Sequence, residues 1–142
     1  MIKLIDLIKE EDNKIIIPRN IEGRKEKHLQ IIYQNIQDYI KAGSKTHLHL
    51  SRTPITSLPD NLKKVGGSLN LSNSKIESLP DNLQVEKYLS LYNTKIKTLP
   101  SNLQVDGTLD LRRTEIAKKY SKDEIRQMIE STGGFVNGDI YT

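Results

Sequence analysis

The hydrophobic positions of this chain follow a repeat of about 20 residues. The pattern L-x-L-x-x-[ST]-x-I-x-x-L-P occurs three times and begins a fourth time, with copies that start at Leu48, Leu69, Leu89 and Leu109. A fixed period of this length predicts a stacked solenoid, because each short unit can bury its apolar face only against its neighbours.

Each copy predicts one strand and one returning arc. The alternation of the two leucines with polar residues indicates a short strand with both leucines inward. The Ser or Thr that follows is expected to hydrogen-bond to the backbone at the turn where the chain leaves the strand. The isoleucine after it is expected to point into the core. The Leu-Pro pair predicts an outer arc, because proline cannot donate to a sheet ladder. One extra residue in the first copy, at Lys63-Lys64, predicts a small bulge on the outer surface.

The segment before the repeats, residues 1–45, predicts an N-terminal helical cap. Apolar residues recur at helical spacing from about Glu22 to Ala42, and Gly43 supplies a left-handed stop. The residues expected to face inward are Leu29, Ile32, Tyr33, Ile36 and Ile40. Upstream, residues 2–8 predict a short amphipathic helix and residues 15–18 an extended stretch. We expect the long helix to cover the apolar end of the first repeat.

The segment after the repeats, residues 117–142, predicts a second cap and a closing strand. A capping box at Ser121 and Glu124 opens a helix that carries Ile125, Met128 and Ile129 inward and stops at Gly133-Gly134. The residues from Val136 to Tyr141 then repeat the register that leads into the fourth strand, which predicts a fifth. A hairpin at Asn137-Gly138 is the competing interpretation.

The predicted fold class is therefore α+β. The chain is expected to be a single domain, residues 1–142: a short leucine-rich-repeat-like solenoid of about five parallel strands, with repeats over residues 46–116 and helical caps at both ends.

The repeat resembles a short leucine-rich repeat of the bacterial and phage kind, with Thr or Ser where Asn is usual. The whole arrangement, from M-I-K-L-I-D-L-I-K-E to Y-S-K-D-E-I-R-Q-M-I-E, is similar to uncharacterised proteins of tailed phages, including crAss-like phages. The resemblance covers essentially the full length. It implies a phage-encoded solenoid and carries no catalytic residues. The chain departs from the pattern at the Glu86-Lys87 turn and in its low number of repeats.

Composition narrows the function classes. The 142 residues include no cysteine, which excludes disulfides and thiolate metal or nucleophile sites. The N-terminus lacks the uninterrupted apolar stretch of a signal peptide, so we expect a cytoplasmic protein without membrane contact, in the host cytoplasm if the chain is phage-encoded. The 22 basic and 18 acidic residues give a net charge of +4 that is spread along the chain, which does not favour nucleic acid.

The outward positions of the predicted strands form a polar grid with two tyrosines near its centre. Because tyrosine supplies rigid contact area with a polar tip, Tyr88 and Tyr92 predict a protein-binding patch. The residues assigned to this strand face are Tyr88, Tyr92, Ser90, Asn70, His49, Asp110 and Arg112. Ordinary solvated strand residues are the alternative interpretation.

The sequence gives less support to a metal site, a hydrolytic triad or a basic patch. His47 and His49 share one side of a strand and could hold a metal, but Asp110 lies three rungs away, about 14 Å by strand spacing. That distance also separates His49, Ser90 and Asp110 too widely for a hydrolytic triad. A candidate basic patch, Lys63 and Lys64 with Arg113, falls on different arcs and has no aromatic stacking platform.

These observations predict a non-enzymatic protein-protein interaction module, with no cofactor and no metal, whose partner is another protein. Two alternatives stay open. One is a phage counter-defence inhibitor of a host nuclease or sensor, similar in role to an anti-CRISPR protein. The other is a virion-associated structural protein.

Overall fold

The computed structural model describes the backbone of residues 21–142 and the side chains from residue 23 onward. The predicted elements between residues 2 and 18 lie outside the described residues. Helix α1 belongs to a first unit that ends at Lys41, and residues Ala42–Thr142 form a second compact unit that contains every strand described below.

Helix α1 spans Ile21–Lys41, which confirms the long helix predicted before the repeats. Three of its predicted inward residues, Ile32, Tyr33 and Ile36, are buried, whereas Leu29 and Ile40 are half-buried. Gly43 has a φ of +98°, the left-handed conformation expected of a stop signal. The capping role of this helix stays a prediction.

Two parallel sheets build the second unit. The first sheet contains, in spatial order, β1 (Leu48–His49), β3 (Leu69–Asn70), β5 (Leu89–Ser90), β7 (Leu109–Asp110) and β9 (Ile140–Tyr141). The second sheet contains β2 (Lys64–Val65), β4 (Gln84–Val85), β6 (Gln104–Val105) and β8 (Phe135–Val136). The chain alternates between the sheets, so each repeat adds one rung to both. This arrangement is a small parallel β-solenoid. The chain also has helices in its N-terminal and C-terminal parts, so the predicted fold class and the fifth strand are confirmed.

The hairpin interpretation of Asn137-Gly138 is wrong. Strand β8 pairs with β6 in the second sheet, and β9 pairs with β7 in the first, both in parallel. The two glycine-flanked segments therefore do not pair with each other, because each finds its partner in the preceding rung.

The core consists of columns of equivalent side chains. Strand leucines, the following isoleucines, the leucines of the returning arm and the valines of the second sheet stack rung upon rung. Members that are completely buried include Ile55, Leu62, Val65, Leu69, Leu71, Ile76, Leu83, Leu89, Leu91, Ile96, Leu103 and Val105. The Ser or Thr hydroxyl of each repeat donates to the carbonyl of the second strand leucine three residues earlier, at 2.6–2.9 Å. Both predictions for the repeat interior are confirmed.

The C-terminal part carries two helices rather than one. Helix α2 (Glu115–Lys119) replaces the extended segment of the fourth repeat, with Thr114 as its N-cap. Helix α3 (Lys122–Ser131) has the predicted capping box between Ser121 and Glu124. Ile125 and Ile129 are buried, but Met128 is 36% exposed, so its predicted inward orientation is wrong; α3 buries only a narrow stripe at i, i+4 spacing. Within residues 21–142 no helix combines the length and apolar character that a membrane crossing needs.

Candidate functional site

The strand face of the first sheet is a row of aligned positions, as the repeat predicted. The pairing register places His49, Asn70, Ser90, Asp110 and Tyr141 side by side across the five strands. Three strand spacings therefore separate His49 from Asp110, about 14 Å, so these two residues and Ser90 do not meet as a hydrolytic triad.

Asp110 is the centre of a hydrogen-bonded cluster on this face. The guanidinium of Arg112 donates from Nε to Oδ1 at 3.0 Å and from Nη2 to Oδ2 at 2.7 Å. The backbone N–H of Arg112 donates to Oδ1 at 3.1 Å, and the Tyr88 hydroxyl donates to Oδ2 at 2.9 Å. The two-pronged pairing fixes both the position and the plane of the arginine. The carboxylate therefore organises two neighbouring side chains of different rungs.

The ionisation states of this cluster follow from its hydrogen bonds. Burial, the largest single influence on Asp110, opposes ionisation, but the hydrogen bonds from Arg112 and Tyr88 together lower the pKa of Asp110 below its ordinary value of 3.8. The bond to Asp110 raises the pKa of Arg112. Burial, followed by the bond to Asp110, raises the pKa of Tyr88. At neutral pH the cluster is a carboxylate, a guanidinium and a neutral phenol.

Two residues assigned to the binding face are covered rather than exposed. Ser90 is 4% and Asp110 is 1% exposed, so little of either side chain is open to a partner, and their assignment to a binding face stays a prediction. Tyr88 reaches over Asp110 from the adjacent rung, since its hydroxyl bonds to the Asp110 carboxylate. Asn70 is half-buried and turns its own Oδ1 towards Ser72, the same local motif as Asp110 with Arg112.

The exposed part of the face is a set of stacked aromatic and cationic side chains. The guanidinium carbon of Arg112 lies 5.5 Å from the ring centroid of Tyr92 and 5.5 Å from that of Tyr141. Arg113 donates to the Tyr92 hydroxyl at 3.4 Å and lies 6.0 Å from the same ring. The bond to Tyr92 raises the pKa of Arg113. We call Tyr88, Tyr92, Asp110, Arg112 and Tyr141 the Tyr–Arg cluster.

Tyr141 is the member that the sequence prediction left out of the site. It is 41% exposed and lies beside Asp110 in β9. The register of the fifth strand, which placed Tyr141 at an outward position, was the signal that could have included it. Its contact with Arg112 depends on side-chain conformation, which the repeat pattern does not specify.

The two histidines lie close together at the first rung. Their ring centroids are 6.0 Å apart, and Nδ1 of His47 accepts a hydrogen bond from the backbone N–H of Ser68 at 2.8 Å. Among the described residues, no group of three or more His, Asp or Glu side chains is placed to hold a metal ion.

The structure does not bring the candidate basic patch together. Lys64 lies in the second sheet and pairs with Glu86 at 2.8 Å, and this bond raises the pKa of Lys64. Lys63 is exposed and its Nζ lies 3.5 Å from the Asp81 carbonyl. Arg113 lies three rungs away, at the turn that leaves β7 in the first sheet.

A basic groove with a volume of about 820 Å³ adjoins the Tyr–Arg cluster. Arg113 connects the two features, because it lines the groove and contacts Tyr92. The groove runs between the extended segment of the third repeat and helix α2 of the fourth. Its lining consists of Glu77, Asn93, Thr94, Lys95, Lys97, Arg113, Glu115, Lys118 and Lys119. The sequence prediction missed it, because its cations come from three separate segments.

No family model matches this chain, and neither a curated protein nor a solved structure matches it. The class of protein is therefore defined by the fold itself, a small parallel β-solenoid that presents an aromatic and cationic strand face. The resemblance to phage-encoded proteins stays a prediction.

Proposed function

We propose that this chain is a non-enzymatic protein-interaction module that binds another protein through the strand face of its first sheet. The observation that carries the proposal is the position of Arg112 between Tyr92 and Tyr141, with its guanidinium held in place by Asp110. Tyrosine and arginine are the residue types most enriched among those that dominate binding energy.

Preorganisation supports the proposal. A long side chain loses rotamer freedom when a partner docks on it, and that loss weakens binding. In Arg112 much of this freedom is already removed by two hydrogen bonds to Asp110 and by two aromatic neighbours. The strands beneath are held by ladder bonds on both sides of β7, so the face is presented on a rigid support.

The repeat pattern supports a narrower proposal for the biological setting. A small basic protein with a phage-like repeat fits a counter-defence inhibitor that acts on a host nuclease or sensor in the host cytoplasm. A virion-associated component is the second candidate, favoured by the same resemblance. Neighbouring genes distinguish them, since small early genes favour counter-defence and morphogenesis genes favour the virion.

The test removes the two aromatic rings beside Arg112, those of the half-buried Tyr92 and the exposed Tyr141, and leaves the buried network intact. The variant Tyr92→Ala with Tyr141→Ala keeps Tyr88, whose hydroxyl is needed by Asp110. The full chain is used to capture proteins from a bacterial lysate, and the affinity of the recovered protein is then measured for each variant. We expect the double variant to weaken binding by about 2 kcal/mol, roughly thirtyfold.

The matched control is Tyr120→Ala with Met128→Ala, which removes two exposed large side chains outside the face. This control is expected to bind as the wild type does. Unchanged binding by the Tyr92 and Tyr141 variant, together with loss of binding on charge reversal of Lys63 and Lys64, would refute the strand-face proposal.

A further inference from the structure

The basic groove carries a clear excess of positive charge. Five of its lining side chains are cationic and two are acidic, a local net charge of +3 against +4 for the whole chain. Of these five cations, only Lys118 has an ion-pair partner among the described residues, Glu115 at 3.4 Å. The groove therefore holds several cations whose charge is not neutralised within the described residues.

The groove exists because the fourth repeat departs from the pattern. The register partners Leu89 and Leu109 are 20 residues apart, whereas Leu109 and Ile140 are 31 apart. Helix α2, in this longer repeat, carries Lys118 and Lys119 to one side of the groove, and the third repeat places Lys95 and Lys97 on the other. Adjacent rungs lie about 4.8 Å apart, so cations on neighbouring rungs act on one ligand.

Arg113 occupies a backbone position in the left-handed conformation, which asparagine adopts more easily than arginine does. Its φ is +61°, and the equivalent positions in the first, second and third repeats are Arg52, Asn73 and Asn93, with φ of +58°, +58° and +52°. Asparagine tolerates this left-handed conformation better than arginine does. Arginine at this position supplies guanidinium donors beyond the one used by Tyr92, and these donors fit a carboxylate or phosphate.

We propose that the basic groove binds an acidic polypeptide segment of the protein partner. This proposal rests on the proposed function, because it names the chemistry of the segment that continues from the Tyr–Arg cluster across Arg113. Lysine ammoniums and the remaining donors of Arg113 pair with the carboxylates of the segment, while the cluster contacts the adjoining part of the same partner.

The groove fits a polypeptide better than a single-stranded nucleic acid. The neighbouring ring of Tyr92 is already contacted by both Arg112 and Arg113, whereas single-stranded nucleic acid needs a ring that is free for base stacking.

The experiment measures direct binding of three fluorescent probes to the full chain at low and moderate salt. The probes are an oligoglutamate peptide, an oligoglutamine peptide of the same length and an oligothymidylate. We expect oligoglutamate to bind, oligoglutamine not to bind, and the oligoglutamate affinity to fall as salt screens the lysines.

Two variants locate the site. Lys95→Glu with Lys97→Glu is expected to weaken oligoglutamate binding by at least about fivefold. Arg113→Asn removes one groove cation and installs the residue type of the middle repeats, so it weakens binding while the chain stays folded. The matched control, Lys87→Glu with Lys122→Glu, makes the same change in net charge outside the groove. Its affinity for oligoglutamate is expected to fall less than that of the Lys95 and Lys97 variant.

Absence of oligoglutamate binding, an equal loss in the control variant, or tighter binding of oligothymidylate at the same lysines would overturn the groove proposal. None of these outcomes bears on the tyrosine variant in the capture experiment, so failure of the groove and failure of the strand face are distinguishable.

Discussion

At the scale of single residues, Asp110 holds the strand face together. Its side chain lies on the outer side of the sheet but is buried there, where an unpaired carboxylate would be strongly disfavoured. It is compatible with that position because it accepts four hydrogen bonds from Tyr88 and Arg112. The same bonds orient Arg112 towards Tyr92 and Tyr141, so a buried residue determines the geometry of the exposed ones.

The first prediction concerns the pH dependence of this network. Asp110→Asn is expected to lower the free energy of unfolding by about 1–2 kcal/mol at neutral pH, because hydrogen bonds to charged groups are lost. The pKa of Asp110 is lower in the folded chain than in the unfolded one, so its contribution is complete above about pH 4 to 5 and disappears as the pH falls through the folded value.

Urea unfolding at several pH values measures this contribution. The difference between wild type and Asp110→Asn should shrink below pH 4, whereas Asp60→Asn, at an exposed loop position, should differ little from wild type at any pH. A difference between wild type and Asp110→Asn that grows in acid would contradict the account of the cluster.

The second prediction tests the core columns. Leu91 is completely buried in the central rung between Leu71 and Leu111, so Leu91→Ala should cost about 2–5 kcal/mol of unfolding free energy. Leu99→Ala, which shortens a half-buried leucine on the outer arc, should lower the unfolding free energy clearly less. Equal losses for the two variants in urea unfolding would show that the stacked leucines do not dominate the core.

At the scale of elements, Arg126 closes the open end of the second sheet. In the earlier rungs, the valine carbonyl of the second sheet accepts an N–H group from the following rung; the pairs are Val65 with Glu86, Val85 with Asp106 and Val105 with Asn137. In two of these rungs a second carbonyl, two residues later, does the same; the pairs are Gly67 with Lys87 and Gly107 with Gly138. The last rung has no successor among the described residues. There the guanidinium of Arg126, from helix α3, donates to the carbonyls of Val136 and Gly138. One side chain thus replaces two backbone donors.

This interpretation predicts a cost for removing the guanidinium. Arg126→Ala should lower the free energy of unfolding by about 1–3 kcal/mol, because two carbonyls lose their partners. Arg126→Lys should recover only part of the loss, since one ammonium replaces a fork that contacts two carbonyls. Urea unfolding of both variants measures the effect, and full stability of Arg126→Ala would exclude a capping role for this residue.

Elements with a repeated apolar pattern were predictable, and short ones were not. Leu48, Leu69, Leu89 and Leu109 recur at a nearly constant interval, so the first sheet and its fifth strand followed from periodicity. The second sheet did not, because strands such as Gln84–Val85 contribute one buried valine each, too little to distinguish a strand from a turn. Helix α2 has five residues and lacks any periodic stripe, and the capping signal at Thr114 alone does not distinguish a helix from a turn.

At the scale of the whole molecule, the sequence predicted which residues share a face but not which of them are exposed. Alignment across rungs follows from the repeat interval alone, and the row from His49 to Asp110 was therefore correct. Exposure depends on how far neighbouring side chains reach, and Tyr88 covers Asp110 from the adjacent rung. The basic groove escaped prediction for a related reason, since its lysines meet only after the fourth repeat is lengthened by its helices.

Basic residues that are dispersed along the sequence also come together in the fold. The stacked repeats place Lys95, Lys97, Arg113 and the two lysines of α2 around one groove beside the aromatic face. The Tyr–Arg cluster and the groove therefore form adjoining parts of one surface, joined at Arg113, and we propose that the partner binds there.

Hydroxyl-radical footprinting of the full chain, alone and in complex with the protein recovered by capture, tests that assignment most directly. Labelling of Tyr92 and Tyr141 should fall on binding, because the partner covers the half-buried ring of Tyr92 and the exposed ring of Tyr141, whereas Tyr120 and Met128 should be labelled equally in both states. Protection of Tyr120 and Met128 with unchanged labelling of Tyr92 and Tyr141 would contradict the account, since the partner would then contact a surface outside the strand face.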